Sequence, residues 1–169
     1  MPTLIDRHGP RGDDWILFEG DAGSVPRGAS LLLPLDEWRT GATLWREHAG
    51  RIGVLLAPSD DPAAIAADLG ELSLVAISFP SFTDGRGYST ARLLRERYGY
   101  RGELRAVGDV LRDQLHYLAR CGFDSFALAD GQDATAALPA FADFSEAYQA
   151  ATDRGPLFGR RVAPSEALA

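Results

Sequence analysis

Residues 104–128, LRAVGDVLRDQLHYLARCGFDSFAL, show the pattern that decides the fold. A short strand is predicted at Leu104–Val107. An amphipathic helix is predicted next, with Asp109 as its N-cap and Gly122 at its end. Its apolar face consists of Leu111, Leu115 and Leu118. A second strand is predicted at Phe123–Leu128, and it completes a strand–helix–strand unit.

The same alternation extends towards the N-terminus. Further strands are predicted at Trp15–Phe18, Ser30–Leu33, Ile52–Ala57 and Leu74–Phe79. Four further helices are predicted. The first follows Asp36, has Trp38, Leu44 and Trp45 on its apolar face, and ends at Gly50. The second follows Asp61 and Pro62, with Ile65, Leu69 and Leu72 on its apolar face. The third begins at Ser89 or Thr90, has Ala91, Leu94 and Tyr98 on one face, and ends at Gly99, and the fourth covers Leu138–Tyr148. Strands that alternate with helices imply parallel pairing through right-handed crossovers.

We therefore expect an α/β fold whose repeated βα units form a mainly parallel sheet. Two architectures fit, an open doubly wound sheet or a half-barrel, because 169 residues are too few for an eight-fold barrel of about 250. Residues 1–150 are predicted to form a single domain, in which residues 1–28 are a short N-terminal β arm. Residues 151–169 are predicted to be a flexible tail, or a partner-binding segment around Leu157, Phe158, Arg160 and Arg161.

Composition excludes several classes of function. The net charge of −7 argues against nonspecific nucleic-acid binding, which depends on neutralising phosphates. The chain contains no lysine, so it has neither a Schiff-base lysine nor a Walker lysine. One cysteine, Cys121, excludes an internal disulfide, a Cys-x-x-Cys pair and a self-contained iron–sulfur site. His8, His48 and His116 have no metal-ligand spacing, so no metal is expected. No cofactor is recognisable, because Gly85-Arg86-Gly87 lacks the third glycine of a dinucleotide fingerprint. We find no membrane-spanning run and no export signal, and we expect a cytoplasmic protein.

Ligands of parallel α/β folds bind at the carboxyl ends of the strands, and four loops are predicted to meet there: 58–61, 80–89, 108–109 and 129–132. The second loop is unusually long, and its two glycines and its arginine suit an anion. The predicted ligand-binding residues are Thr83, Asp84, Gly85, Arg86, Gly87, Tyr88, Ser89, Asp109 and Arg112. The alternatives are that Asp84-Gly85 is a simple turn with Arg86 paired to a nearby acid, and that Asp109 is only a helix cap.

No catalytic residue is assigned, although Asp109 and His116 are candidates for acid–base chemistry. Arg112 and Asp113 lie four and three residues before His116, so the three side chains can share one helix face. A solvated helix surface is the competing interpretation. Cys121 is expected at the opposite edge of the sheet, as a small half-buried residue.

Several of these stretches resemble a bacterial family of unknown function, domain of unknown function 934. They are Leu32–Trp38, Phe79–Ser89, Leu93–Arg95, Gly102–Ala106 and Gly108–Gln114. Members are often described as oxidoreductases of sulfite reduction, because their genes accompany those of assimilatory sulfite reductase. The resemblance implies a pathway, cytoplasmic sulfate assimilation, and it transfers no catalytic residue. Any redox carrier would be bound without a recognisable motif or belong to a partner.

Three functions remain open at this point. The first is an accessory protein or oxidoreductase component of assimilatory sulfite reduction, with sulfite reductase or another sulfate-assimilation enzyme as partner. The second is a small enzyme or sensor that binds an anionic sulfur or phosphate metabolite at the Arg86/Asp109 edge. The third is a structural scaffold or homodimer without catalysis. No nucleic acid and no membrane are expected as partners.

Overall fold

One strongly curled sheet organises the chain. The structure is a computed structural model and describes residues 3–20, 23, 25–143 and 152. The strands are β1 (Thr3–Asp6), β2 (Gly9–Pro10), β3 (Trp15–Leu17), β4 (Ser30–Pro34), β5 (Ile52–Leu56), β6 (Leu74–Phe79), β7 (Glu103–Gly108) and β8 (Ser125–Leu128). Their order in the sheet is β2-β1-β8-β7-β6-β5-β4-β3. Strands β3 to β8 are parallel to one another, whereas β1 is antiparallel to both β8 and β2.

The connection between β2 and β3 shows how strongly the sheet curls. These strands lie at opposite edges, and only residues 11–14 join them. Such a link spans at most about 18 Å, whereas the edges of a flat sheet of this width would be about 34 Å apart. The sheet is therefore a half-barrel, and residues 11–14 cross its concave side. This confirms the predicted α/β class and decides between the two architectures left open.

The helices pack on the convex face. Each crossover from β3 to β8 leads to the adjacent strand in the same direction, and right-handed crossovers then place all the helices on one side. The main core lies between them and the sheet, with Leu33, Ile77 and Phe126 from strands meeting Trp38 and Leu118 from helices. A smaller apolar cluster of Leu32, Leu74 and Ala76 occupies the concave face, where Trp15, Leu55 and Val107 pack against it.

Helix α1 (Leu35–Arg46) begins two residues earlier than predicted. Pro34 is the N-cap, so Asp36 lies in the first turn and is not the cap. Trp38 and Trp45, seven residues apart, turn towards the sheet, and Leu44 is therefore 56% exposed. The prediction that Leu44 lies on the apolar face was wrong, as was the prediction that Gly50 ends this helix.

The crossover from β5 to β6 is shorter than the predicted helix. Asp61 is the N-cap, as predicted, and its carboxylate accepts a hydrogen bond from the Ala63 amide at 2.9 Å. The helix is a single 3₁₀ turn, Pro62–Ile65, followed by further turns. Ile65, Leu69 and Leu72 are nevertheless buried. The apolar spacing thus predicted the buried face correctly, although the backbone is not a regular helix.

The remaining helices also differ from their predicted bounds. Helix α2 (Arg86–Arg92) begins before Ser89 and continues as a π-helical turn, Leu93–Arg97. A 3₁₀ turn, Arg112–Gln114, precedes α3 (Leu115–Arg120), and α4 (Ala134–Ala137) leads into the 3₁₀ turn Leu138–Ala142. The rest of the predicted helix up to Tyr148 and the predicted tail, apart from Thr152, lie outside the described residues.

Candidate functional site

Two of the predicted loops meet at the carboxyl ends of β6 and β7, which lie side by side in the sheet. Phe79 and Gly108 are partners in the sheet, and the Asp109 amide donates to the Phe79 carbonyl at 2.7 Å. The Asp109 carboxylate accepts a hydrogen bond from the Phe82 amide at 2.9 Å. The prediction that Asp109 caps the next helix was wrong, because Leu111 is the N-cap there and the Gln114 side chain accepts from its amide.

Gly108 is required for this junction. Its φ is +103°, and a Cβ atom at this position would lie 2.4 Å from the Phe79 carbonyl oxygen. An L-residue is disfavoured in this conformation, and the contact with backbone leaves no room for a side chain. The glycine and the aspartate of the Gly108-Asp109 motif therefore both serve to join β7 to the loop after β6.

The Arg86 guanidinium pairs with Asp84 within its own loop. Nη2 and Nε of Arg86 lie 2.7 Å and 3.0 Å from the two carboxylate oxygens, and Arg86 remains 62% exposed. This hydrogen-bonded pair lowers the pKa of Asp84 below its ordinary value. The hydroxyl groups of Ser81 and Thr83 form a second link at 3.1 Å. Three predicted site residues, Thr83, Asp84 and Arg86, are thus engaged in ordering the loop.

The two glycines of the Asp-Gly-Arg-Gly motif have different environments. Gly85 has an ordinary φ of −85° and is the N-cap of α2. Gly87 lies inside α2, where a Cβ atom would approach the Phe79 ring to 2.6 Å. Gly87 therefore permits close packing of α2 on β6.

Tyr88 and Ser89 continue from this loop into α2. The Tyr88 ring makes an edge contact with Phe79 at 5.3 Å between centroids, and the Gln114 amide donates to the Tyr88 hydroxyl at 3.2 Å. Burial raises the pKa of Tyr88 above its ordinary value. Ser89 is exposed. The structure therefore brings residues 83–89 and Asp109 to one edge, as predicted, and their ligand binding stays a prediction.

Arg112 and His116 contact a different part of the molecule. Arg112 donates to the Ala136 carbonyl at 3.3 Å and pairs with Asp113 at 3.5 Å and with Asp143 at 3.6 Å. Nδ1 of His116 lies 3.3 Å from the Phe141 carbonyl oxygen. These contacts tie the turn Arg112–Gln114 and α3 to the segment 134–143, and no described contact joins Arg112 to the loop of Arg86.

Cys121 is buried, with 1% of its surface exposed, at the C-terminal end of α3. It lies towards the amino ends of the strands, as predicted, but the expectation of a half-buried residue was wrong. Burial raises the pKa of its thiol above the ordinary value. Within the described part of the chain, no group of three or more His, Cys, Asp or Glu side chains is placed to hold a metal ion.

A family model matches residues 53–158, and its description is bacterial protein of unknown function, DUF934. The chain belongs to the DUF934 family. The matched residues contain β6, β7 and both loops at their carboxyl ends, whereas β1 to β4 lie before the match. No curated protein matches this DUF934 chain. Among the described residues, no helix combines the length and the apolar character that a membrane crossing needs.

This DUF934 chain also contains a buried ion cluster that the sequence interpretation missed. Arg105, with 4% of its side chain exposed, donates from Nη2 to Glu103 at 3.0 Å and from Nη1 to Asp13 at 2.8 Å. The Ser125 hydroxyl donates to the same Glu103 oxygen at 2.5 Å. The available signal was the alternation of Glu103 and Arg105 with the apolar residues Leu104 and Ala106, which directs the charged pair to the concave face.

The cluster secures residues 11–14 across the concave side of the half-barrel. Beside it is a cavity of about 310 Å³, which is lined by Trp15, Leu32 and Val107 and by Gly108 at the carboxyl end of β7. Asp13 is 45% exposed and is therefore the outermost member of the cluster. Because Arg105 has a carboxylate on each side, its charge is compensated within the protein.

Proposed function

We propose that this protein is an accessory component of assimilatory sulfite reduction that acts by binding sulfite reductase. The pathway is suggested by the resemblance of the Phe79–Ser89 and Gly108–Gln114 motifs to their family. A cytoplasmic location belongs to the same proposal.

One observation supports binding of a protein partner. The loop after β6 presents Phe82, which is 49% exposed, and Arg86, which is 62% exposed, on a backbone that is already ordered. Phenylalanine and arginine are both enriched at protein interfaces. A loop held in one conformation by Asp109 and Asp84 loses less conformational entropy when a partner binds.

The electron carrier, in this proposal, belongs to the partner. The chain has one cysteine, and Cys121 is buried with a raised thiol pKa, so it is poorly suited to exchange reactions. The polar side chains of the loop hydrogen-bond to one another, Ser81 with Thr83 and Asp84 with Arg86. Their described contacts favour a rigid recognition surface.

The direct test is co-purification of tagged protein with sulfite reductase, using Phe82→Ser as the principal variant. We expect the wild type to retain the reductase at micromolar concentration and Phe82→Ser to lose most of it. Leu44→Ser is the matched control, because Leu44 is an apolar residue on α1 that is 56% exposed, close to the 49% of Phe82. Loss of binding in both variants, or no retention by the wild type, would contradict the proposal.

A gene deletion tests the pathway separately. We expect the deletion strain to grow on sulfide but not on sulfate or sulfite, and the Leu44→Ser gene to restore growth where the Phe82→Ser gene does not. Growth on sulfite would place the defect upstream of sulfite reduction. Normal growth on all three sulfur sources would count against any role in the pathway.

The exposed Arg86 guanidinium favours a second candidate, the binding of an anionic sulfur or phosphate metabolite at the Arg86/Asp109 edge. Such an anion would have to displace Asp84 from its bidentate contact with Arg86. Thermal-shift measurements with sulfite, sulfate and adenylylated sulfate distinguish the two candidates. A ligand at 100 times its dissociation constant should add about 2.7 kcal/mol, and the Arg86→Ala variant should not respond.

A further inference from the structure

An open cleft of about 720 Å³ lies at the amino ends of β7 and β8, at the edge opposite the Asp109 loop. One wall is the turn between β1 and β2, and the other is the chain that leads into β7. The cleft is lined by four arginines, by one histidine and by three acids: Arg7, Arg11, Arg95 and Arg101, then His8, then Asp6, Glu96 and Asp124. This concentration of basic side chains is unusual in a chain whose net charge is −7.

All three acids of the cleft already have partners. The Asp6 carboxylate accepts from the His8 amide at 2.6 Å and lies 3.6 Å from Arg11. Asp124 pairs with Arg95 at 2.5 Å. Glu96 pairs with Arg92, four residues earlier, at 3.1 Å. The carboxylates are thus neutralised by cations other than Arg7 and Arg101.

Arg7 and Arg101 are the positive charges that remain. Arg7 is exposed and donates to the Ala119 carbonyl at 3.3 Å, an uncharged acceptor. Arg101 is exposed, and the described residues include no acceptor for its guanidinium. Two guanidinium groups without a carboxylate partner in the described chain therefore face the same cleft. Such groups attract an anion from solution.

The backbone that carries Arg101 is held in place. Nη1 of Arg95 donates to the Tyr100 carbonyl at 2.8 Å and to the Gly102 carbonyl at 2.9 Å, on either side of Arg101. Nε of Arg95 donates to the Gly122 carbonyl at 3.0 Å and so joins this segment to the start of β8. Arg95 is therefore a positioning residue that fixes the point from which Arg101 reaches into the cleft.

We propose that this cleft binds a small organic molecule that carries a phosphate or sulfate group, with Arg101 and Arg7 as its charge partners. Guanidinium groups suit tetrahedral oxyanions, because their N–H groups can make paired hydrogen bonds to two oxygens. The cleft is larger than an inorganic anion requires, and its volume is typical of sites for small organic ligands. The inference is independent of the proposed binding of sulfite reductase.

Calorimetric titration with inorganic pyrophosphate and with adenosine 5′-monophosphate, at about 50 mM salt, tests the proposal. We expect adenosine 5′-monophosphate to bind the wild type and Arg101→Ala to weaken binding about tenfold, with a comparable loss for Arg7→Ala. Arg39→Ala removes the same charge from exposed α1 and should change the dissociation constant by less than about twofold. Arg101→Ala should keep the urea midpoint of the wild type, because it breaks no described contact.

Three results would overturn the proposal. The first is no heat of binding with either probe at millimolar concentration. The second is an equal loss in Arg39→Ala and Arg101→Ala, which would indicate general electrostatic attraction. The third is binding of pyrophosphate alone, which would indicate an inorganic anion site. Phe82→Ser should leave the titration unchanged, so failure here and failure of reductase binding are distinguishable.

Discussion

Removal of the Arg105 guanidinium is the most informative test of how the half-barrel is held closed. Arg105→Met preserves most of the side-chain volume and deletes the contacts to Glu103, Asp13 and Ser125. Breaking a buried ion pair typically costs 3–5 kcal/mol, because the remaining charge is left without a partner. Here Glu103 is 21% exposed and Asp13 is 45% exposed, so water solvates part of what remains. We therefore expect a loss of about 3 kcal/mol in the free energy of unfolding.

Further variants show how much of this loss in the free energy of unfolding comes from Asp13 and how much from Glu103. Asp13→Asn should cost only about 0.5–1 kcal/mol, because half-exposed pairs contribute little. The double variant Arg105→Met/Glu103→Gln should regain at least about 1 kcal/mol over Arg105→Met, since it removes the unpaired carboxylate. Arg39→Met is the control for loss of an exposed arginine and should have an effect within about 0.5 kcal/mol.

Urea unfolding followed by tryptophan fluorescence measures these differences, and the transition slope should be the same in every variant. For a chain of this length, 3 kcal/mol corresponds to a fall of about 6–12 °C in melting temperature. A loss below about 1 kcal/mol for Arg105→Met would refute the reasoning. So would a double variant that is less stable than Arg105→Met.

Three further predictions concern the loops and the thiol. Gly108→Ala should destabilise by about 2 kcal/mol or more, because φ is +103° and the Phe79 carbonyl blocks the new methyl group. Gly85→Ala should cost at most about 1 kcal/mol, because its nearest neighbour is 3.8 Å away and only the N-cap preference for glycine over alanine is lost; urea midpoints compare the two. Asp109→Ala should cost about 1 kcal/mol and speed amide exchange at Phe82, measured by hydrogen exchange; unchanged protection would argue against the observed contact. Cys121 should react with a thiol reagent at pH 8 at least about 100-fold more slowly in the native protein than in urea, because it is buried and its raised pKa leaves little thiolate; equal rates would contradict this.

The sequence by itself determined the positions of strands β3 to β8 and of most of the helical segments between them. Apolar runs identified β5 and β6 as buried strands, and the alternation of strands with helical segments implied a parallel sheet. Asp61 was predicted correctly as a cap because capping depends on amides two or three residues away in the chain. Residues 83–89 and Asp109 were expected at one edge because parallel strands end together.

Only the tertiary structure decided the curvature and the partners of the charged side chains. The half-barrel follows from the sequential strand order and from the short link of residues 11–14, neither of which is visible in local periodicity. Asp109 bonds the Phe82 amide because the pairing of β6 with β7 brings that donor close, and Arg105 meets Asp13 because the sheet curls beneath the N-terminal chain. A charged side chain forms a hydrogen bond with whichever partner the fold brings within about 3 Å. Asp109 and Phe82 are separated by 27 positions in the sequence and Arg105 and Asp13 by 92, so both pairs become neighbours only when the sheet has formed.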